Sequence, residues 1–72
     1  MTFAELNLPY SYGLGVWSQS LKVEGDDWAG AEDALTQDAK AWITDNPDNA
    51  GGYHVLRDET NKVLTLDLMR GA

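Results

Sequence analysis

The chain has 72 residues, no cysteine, twelve acidic and five basic side chains, and a formal net charge of −7. That length makes one domain, residues 1–72, near the lower size limit for a core without staples, and the missing cysteines exclude disulfides and thiolate zinc sites. So few bases disfavour direct binding to nucleic acid, which needs clustered Lys and Arg, and to anionic membrane surfaces. No apolar run approaches the roughly 20 residues of a membrane span. MTFAELNLPY lacks the basic start and long apolar stretch of a signal peptide. A soluble, cytoplasmic protein is expected.

From Leu6 to Val16 the apolar residues alternate strictly: Leu6, Leu8, Tyr10, Tyr12, Leu14 and Val16. That period of two predicts extended structure with one buried face. Pro9 lacks a ladder donor, and Gly13 and Gly15 weaken pairing. The reading is therefore a short edge strand near Phe3–Leu8, a turn over Pro9–Gly13 and a second strand from about Leu14 to Val23. In that second strand the apolar parity switches from Val16 to Trp17, Leu21 and Val23, which predicts a bulge near Trp17–Ser20.

Gly25 ends the strand, and Asp26–Asn46 carries the one strong helical signal. Trp28, Ala31, Leu35, Ala39 and Trp42 fall in a narrow sector at about 100° per residue, with Ile43 on its margin. Asp26 or Asp27 is placed to cap the N-terminus. Gly30 weakens the first turn by about 1 kcal/mol relative to Ala, so fraying is expected there. Asn46 precedes Pro47, which disfavours α geometry and stops the helix. Asp33, Thr36, Gln37, Lys40 and Thr44 are read as the outer face. Glu32 lies on one shoulder of the apolar stripe, with Asp38 and Asp45 on the other.

A loop over Asn46–Gly52 leads to the clearest hairpin, Tyr53–Arg57 and Lys62–Met69 around Asp58–Asn61. A turn centred on Glu59–Thr60 would set Val55 opposite Leu64 and Tyr53 opposite Leu66. Leu64, Leu66 and Leu68 alternate with Val63, Thr65, Asp67 and Met69, as expected for a strand with one wetter face. Arg70-Gly71-Ala72 reads as a frayed tail. The expected fold is α+β in ββαββ order: one amphipathic helix on a mainly antiparallel sheet of three to four strands. The last strand lies between the two that flank the helix.

The residues offer little chemistry. His54 is the single histidine, and a general base needs an orienting partner and a pocket; Asp58 and Glu59 are its nearest acids in sequence. No Ser or Thr sits in a nucleophile-elbow context. Gly13-x-Gly15 is not followed by a helix start. Asp45-Asn46-Pro47-Asp48-Asn49 shares only composition with a calcium loop. A chain of this size could hardly enclose a ligand pocket of a few hundred cubic ångströms. No catalytic activity, cofactor or metal is expected.

Charge is the informative feature. Glu24, Asp26, Asp27, Glu32, Asp33, Asp38, Asp45 and Asp48 stand against Lys40 alone, and the flanking segments cancel to zero, so one third of the chain carries the whole −7. Such an asymmetric field steers partners more than it shapes the fold. The expected function is a non-catalytic, protein-binding inhibitor that presents this acidic, helix-centred surface to a basic, nucleic-acid-binding partner as a nucleic-acid mimic. At the level of size and charge this is the profile of phage or plasmid counter-defence factors such as anti-CRISPR or anti-restriction proteins, acting in the host cytoplasm. The alternative is a small assembly subunit that uses an aromatic strand edge, Tyr10, Tyr12 and Trp17, to form a homodimer or hetero-oligomer. Three tryptophans are a heavy aromatic load for so short a chain, and one could be left outside the core for a partner.

Overall fold

The computed structural model of the protein describes residues 1–70. A 3-10 turn, Phe3–Leu6, is followed by strand β1 (Gly15–Lys22), helix α1 (Trp28–Asp45), and strands β2 (Gly52–Asp58) and β3 (Val63–Met69). The strands form one antiparallel sheet in the order β1-β3-β2, and α1 packs on one face of it. This is the expected α+β fold with the last strand in the centre. Gly71 and Ala72, part of the expected tail, lie outside the described residues. Arg70 is held, its N–H donating to Leu14 O at 2.7 Å.

The helix begins and ends where its local chemistry dictates. The Asp27 carboxylate accepts the Gly30 N–H at 3.0 Å, which satisfies one orphan donor of the first turn. Gly30 is a fitted residue here, because a Cβ at that position would run into the Asp27 carboxylate. The first turn is formed from Trp28 onward. At the other end Asn46 closes the helix, one residue before Pro47.

The helix is rotated towards Glu32 relative to the apolar stripe. Leu35 and Ala39 are fully buried as expected, but so is Thr36, assigned from sequence to the outer face. Its hydroxyl donates to Glu32 O one turn back at 2.8 Å, so burial leaves no unpaired polar group. The reason for the rotation is the N-terminal segment, which forms a 3-10 turn rather than the expected strand Phe3–Leu8. Glu5 accepts the Thr2 N–H at 3.0 Å, Asn7 adopts left-handed geometry, and the Phe3 N–H donates to Glu32 Oε1 at 3.0 Å. This turn packs on the Glu32 flank of α1 and contributes buried Leu6 to the core.

Leu64, Leu66 and Leu68 of the central strand are buried under the helix. The hairpin register differs from expectation by two residues: Val55 opposes Leu66 and Tyr53 opposes Leu68. The cause is the turn. Asp58 pairs with Val63, Lys62 has φ 54°, and the Asp58 carboxylate accepts from Asn61 N and Nδ2 at 3.0 and 2.9 Å. A shift of two keeps every side chain on its own face, so the apolar pairing survives. The expected bulge in β1 exists slightly earlier, between Gly15 and Trp17, and puts Trp17, Gln19 and Leu21 on the helix side.

Candidate functional site

Residues Pro9–Leu14 form a strap across one end of the sheet. Tyr53 N–H donates to Pro9 O at 3.0 Å and Ser11 N–H donates to Tyr53 O at 3.1 Å, a parallel bridge on the outer edge of β2. The strap then reaches β3, where Leu14 O accepts the Arg70 N–H. The alternation at Tyr10, Tyr12 and Leu14 therefore does not mark a buried face; these side chains are 54%, 78% and 75% exposed. Extended backbone has a period of two whether or not anything covers it.

On the sheet face opposite α1, a polar row crosses all three strands. Ser18 on β1 is hydrogen-bonded to Asp67 on β3, and His54 Nδ1 on β2 lies 3.9 Å from the other Asp67 oxygen. The Tyr12 and Tyr10 rings stand 5.0 and 5.5 Å from the His54 ring. The partner of His54 is thus Asp67, not Asp58 or Glu59. The carboxylate sits between Ser18 and His54, whereas activation of a serine nucleophile needs the histidine in the middle. The Tyr10 phenol is pushed above its ordinary value, first by desolvation and then by the adjacent Tyr12.

Trp17, grouped from sequence with Tyr10 and Tyr12, faces the other way. It pairs with Leu68 and is half-buried against the core, as are Trp28 and Trp42. No tryptophan is left outside. The aromatic interface reduces to Tyr10 and Tyr12, joined by Leu14.

The acidic residues divide between opposite flanks of α1. On the flank of the 3-10 turn, Glu32 accepts the Phe3 N–H and Asp33 pairs with the N-terminal amine at 3.2 Å. On the β1 flank, Asp38 accepts from Gln19 Nε2 at 2.6 Å. Asp45 follows two turns on along the same flank, about 10.5 Å at 1.5 Å per residue, and is exposed, as is Asp48 beyond it. Glu24, Asp26 and Asp27 cluster at the start of the helix. Asp26 pairs with Lys62 at 2.8 Å, and that ammonium holds its carboxyl below the ordinary value. Asp33, Asp38 and Asp45 therefore do not form one line.

The β1 flank adjoins an open sheet edge. Val23 N–H donates to Lys62 O at 2.8 Å, so the odd residues of β1 are the ones bonded to β3. Alternation then points the N–H and C=O groups of Ser18, Ser20 and Lys22 away from the sheet. The opposite edge, β2, is covered by the strap at Tyr53. Beside the β1 edge lies an open cleft of about 260 Å³ lined by Leu21, Lys22, Val23, Glu24, Asp27 and Ala31. The connection rules place β1 beside β3, but the sequence pattern adds an edge strand at Phe3–Leu8; because that segment forms a 3-10 turn instead, β1 itself is the edge.

Among the described residues, no helix is long and apolar enough to cross a membrane. No family model, curated protein or solved structure matches the chain.

Proposed function

We propose that the protein is a non-catalytic binding module that presents its acidic, helix-centred surface to a basic, nucleic-acid-handling protein and acts as an inhibitor by occupying the groove meant for nucleic acid. The observation that carries this reading is the exposed carboxylate flank formed by Asp38 and Asp45, with Asp48 beyond them, next to the acidic cluster Glu24, Asp26 and Asp27. The axial rise of about 10.5 Å from Asp38 to Asp45 equals about three of the roughly 3.4 Å steps by which phosphates advance along one DNA strand. A counter-defence role of the anti-CRISPR or anti-restriction type, in the cytoplasm of a phage host, is the setting in which such a mimic would work.

The test is a capture experiment at low and high salt with wild type, Asp38→Asn/Asp45→Asn and Asp33→Asn. A nucleic-acid-handling partner should be retained by wild type and Asp33→Asn at low salt and lost by the double variant, because Asp33 is already paired on the other flank. Retention of the same partner by the double variant at high salt would overturn the reading, since screened electrostatics could not hold it.

The exposed Tyr10, Tyr12 and Leu14 favour a second reading, an assembly subunit that associates through the strap. A dimer by sedimentation that dissociates in Tyr12→Ala would support it; a monomeric wild type would exclude self-assembly.

A further inference from the structure

The acidic flank and the open edge of β1 are neighbours, and together they define more than a charged surface. Asp38 is tied over the middle of β1 through Gln19, with Asp45 on the same flank. The outward backbone groups of Ser18, Ser20 and Lys22 run beneath. The only charged side chain of β1 itself is Lys22, and it points to the sheet face away from the helix. A strand laid along this edge would find, at its level, backbone donors and acceptors left unpaired among the described residues, and on the helix side the Asp38 and Asp45 carboxylates; on the other face the Asp67 carboxylate is already bonded to Ser18.

We infer that β1 is a strand-addition site for an extended, basic segment of the partner, an inference that rests on the acidic-surface reading above and specifies how that surface is used. Main-chain hydrogen bonds from Ser18, Ser20 and Lys22 supply the register. Alternate side chains of the incoming strand point to the helix side, where Lys or Arg meets Asp38 and Asp45, and one of them enters the cleft, whose lining includes Glu24 and Asp27 against the one cation Lys22. The occupant is a basic partner rather than a second copy. Pairing β1 with β1 of another copy would place two Asp38/Asp45 flanks side by side, and like charges repel. The β2 edge is the poorer site for a basic strand, because the strap already bonds to Tyr53, and β2 carries the exposed cation Arg57 where β1 has the Asp38 and Asp45 flank.

The test uses the full chain and a capped heptapeptide alternating Lys with Val and Thr. The same peptide with Glu for Lys serves as control. Amide exchange and shifts are followed by NMR. Binding of the Lys peptide should slow exchange at Ser18, Ser20 and Lys22 by about tenfold or more, and the Glu peptide should not bind. Ser20→Pro removes an N–H that faces away from β3, a position where a strand tolerates proline, and should abolish binding. Asp38→Asn/Asp45→Asn should weaken it about tenfold, which provides a second readout independent of the proline variant. Lys-peptide binding with unchanged exchange at those three amides, and equal binding by a folded Ser20→Pro, would overturn strand addition while leaving the acidic-surface reading intact. No binding of the Lys peptide at low salt would overturn both. A dimer of the free protein that Ser20→Pro dissolves would overturn the basic occupant in favour of a second copy.

Discussion

Gln19 Nε2 lies 2.6 Å from Asp38 Oδ2, a single contact that ties the middle of edge strand β1 to the acid-bearing flank of α1. Both side chains reach solvent, and the contribution of such a contact to stability is small, about 1 kcal/mol or less. Asp38→Asn keeps an oxygen that can accept from Gln19. Its thermal midpoint should therefore stay close to wild type while the electrostatic flank is weakened. A large fall in midpoint would show that the contact organises the fold, and binding losses in that variant could then not be assigned to charge.

Thr36 provides a sharper stability test because it sits where the sequence pattern suggested solvent. Its methyl is in the core and its hydroxyl is satisfied by Glu32 O. Thr36→Val removes the donor but leaves the shape, and the carbonyl can still accept within the helix, so the cost should be about 1 kcal/mol or less. Thr36→Glu buries an unpaired charge and should cost several kcal/mol. Denaturant unfolding of the two variants measures this. Equal tolerance of both would place residue 36 on the outside of the helix.

Leu66 is fully buried at the centre of the middle strand, between Gln19 of β1 and Val55 of β2. Leu66→Ala should cost about 2–5 kcal/mol, a large share of the roughly 5 kcal/mol that a domain of this size can muster. Circular dichroism should show substantial unfolding at 37 °C. A stable variant would mean that the core is centred elsewhere.

The strap depends on Gly52. A Cβ there would approach Pro9 O to 2.7 Å and collide with the Ser11 side chain. Gly52→Ala should push the strap off β2, costing about 1–3 kcal/mol and parting the Tyr12 and His54 rings. Loss of the ring-current shifts of His54 in the NMR spectrum would report it; unchanged shifts would show that the strap adapts.

Acid should loosen the β2–β3 turn before the core. The Asp58 carboxyl is held below its ordinary value, first by the Asn61 side-chain amide and then by the Asn61 backbone N–H. A carboxyl with a depressed folded value contributes stability above the unfolded value of about 4, and that contribution is lost as pH falls through the folded one. The Asn61 amide shift should titrate below about pH 4 and become flat in Asp58→Asn. An unchanged titration in that variant would assign the effect to another group.

Local chemistry alone determined much of this protein. The helix limits follow from Asp27, Asn46 and Pro47. The Leu64-Leu66-Leu68 alternation marks the central strand, and its place between the flanking strands follows from connection rules. The restriction of net charge to Glu24–Asp48 is likewise a property of the sequence. The tertiary structure decided what those patterns face. Alternation at Leu6–Leu14 says only that side chains change sides, and it was packing that sent Leu6 inward and Tyr12 and Leu14 outward. Helical periodicity fixes the width of an apolar stripe but not its rotation, which goes with the packing of the N-terminal 3-10 turn on the flank of α1, where Phe3 N–H bonds to Glu32. The division of Asp33 from Asp38, and the juxtaposition of Asp38 with the unpaired edge of β1, arise from contacts between segments remote in sequence. No local rule encodes them, because each depends on which surface another element happens to bury.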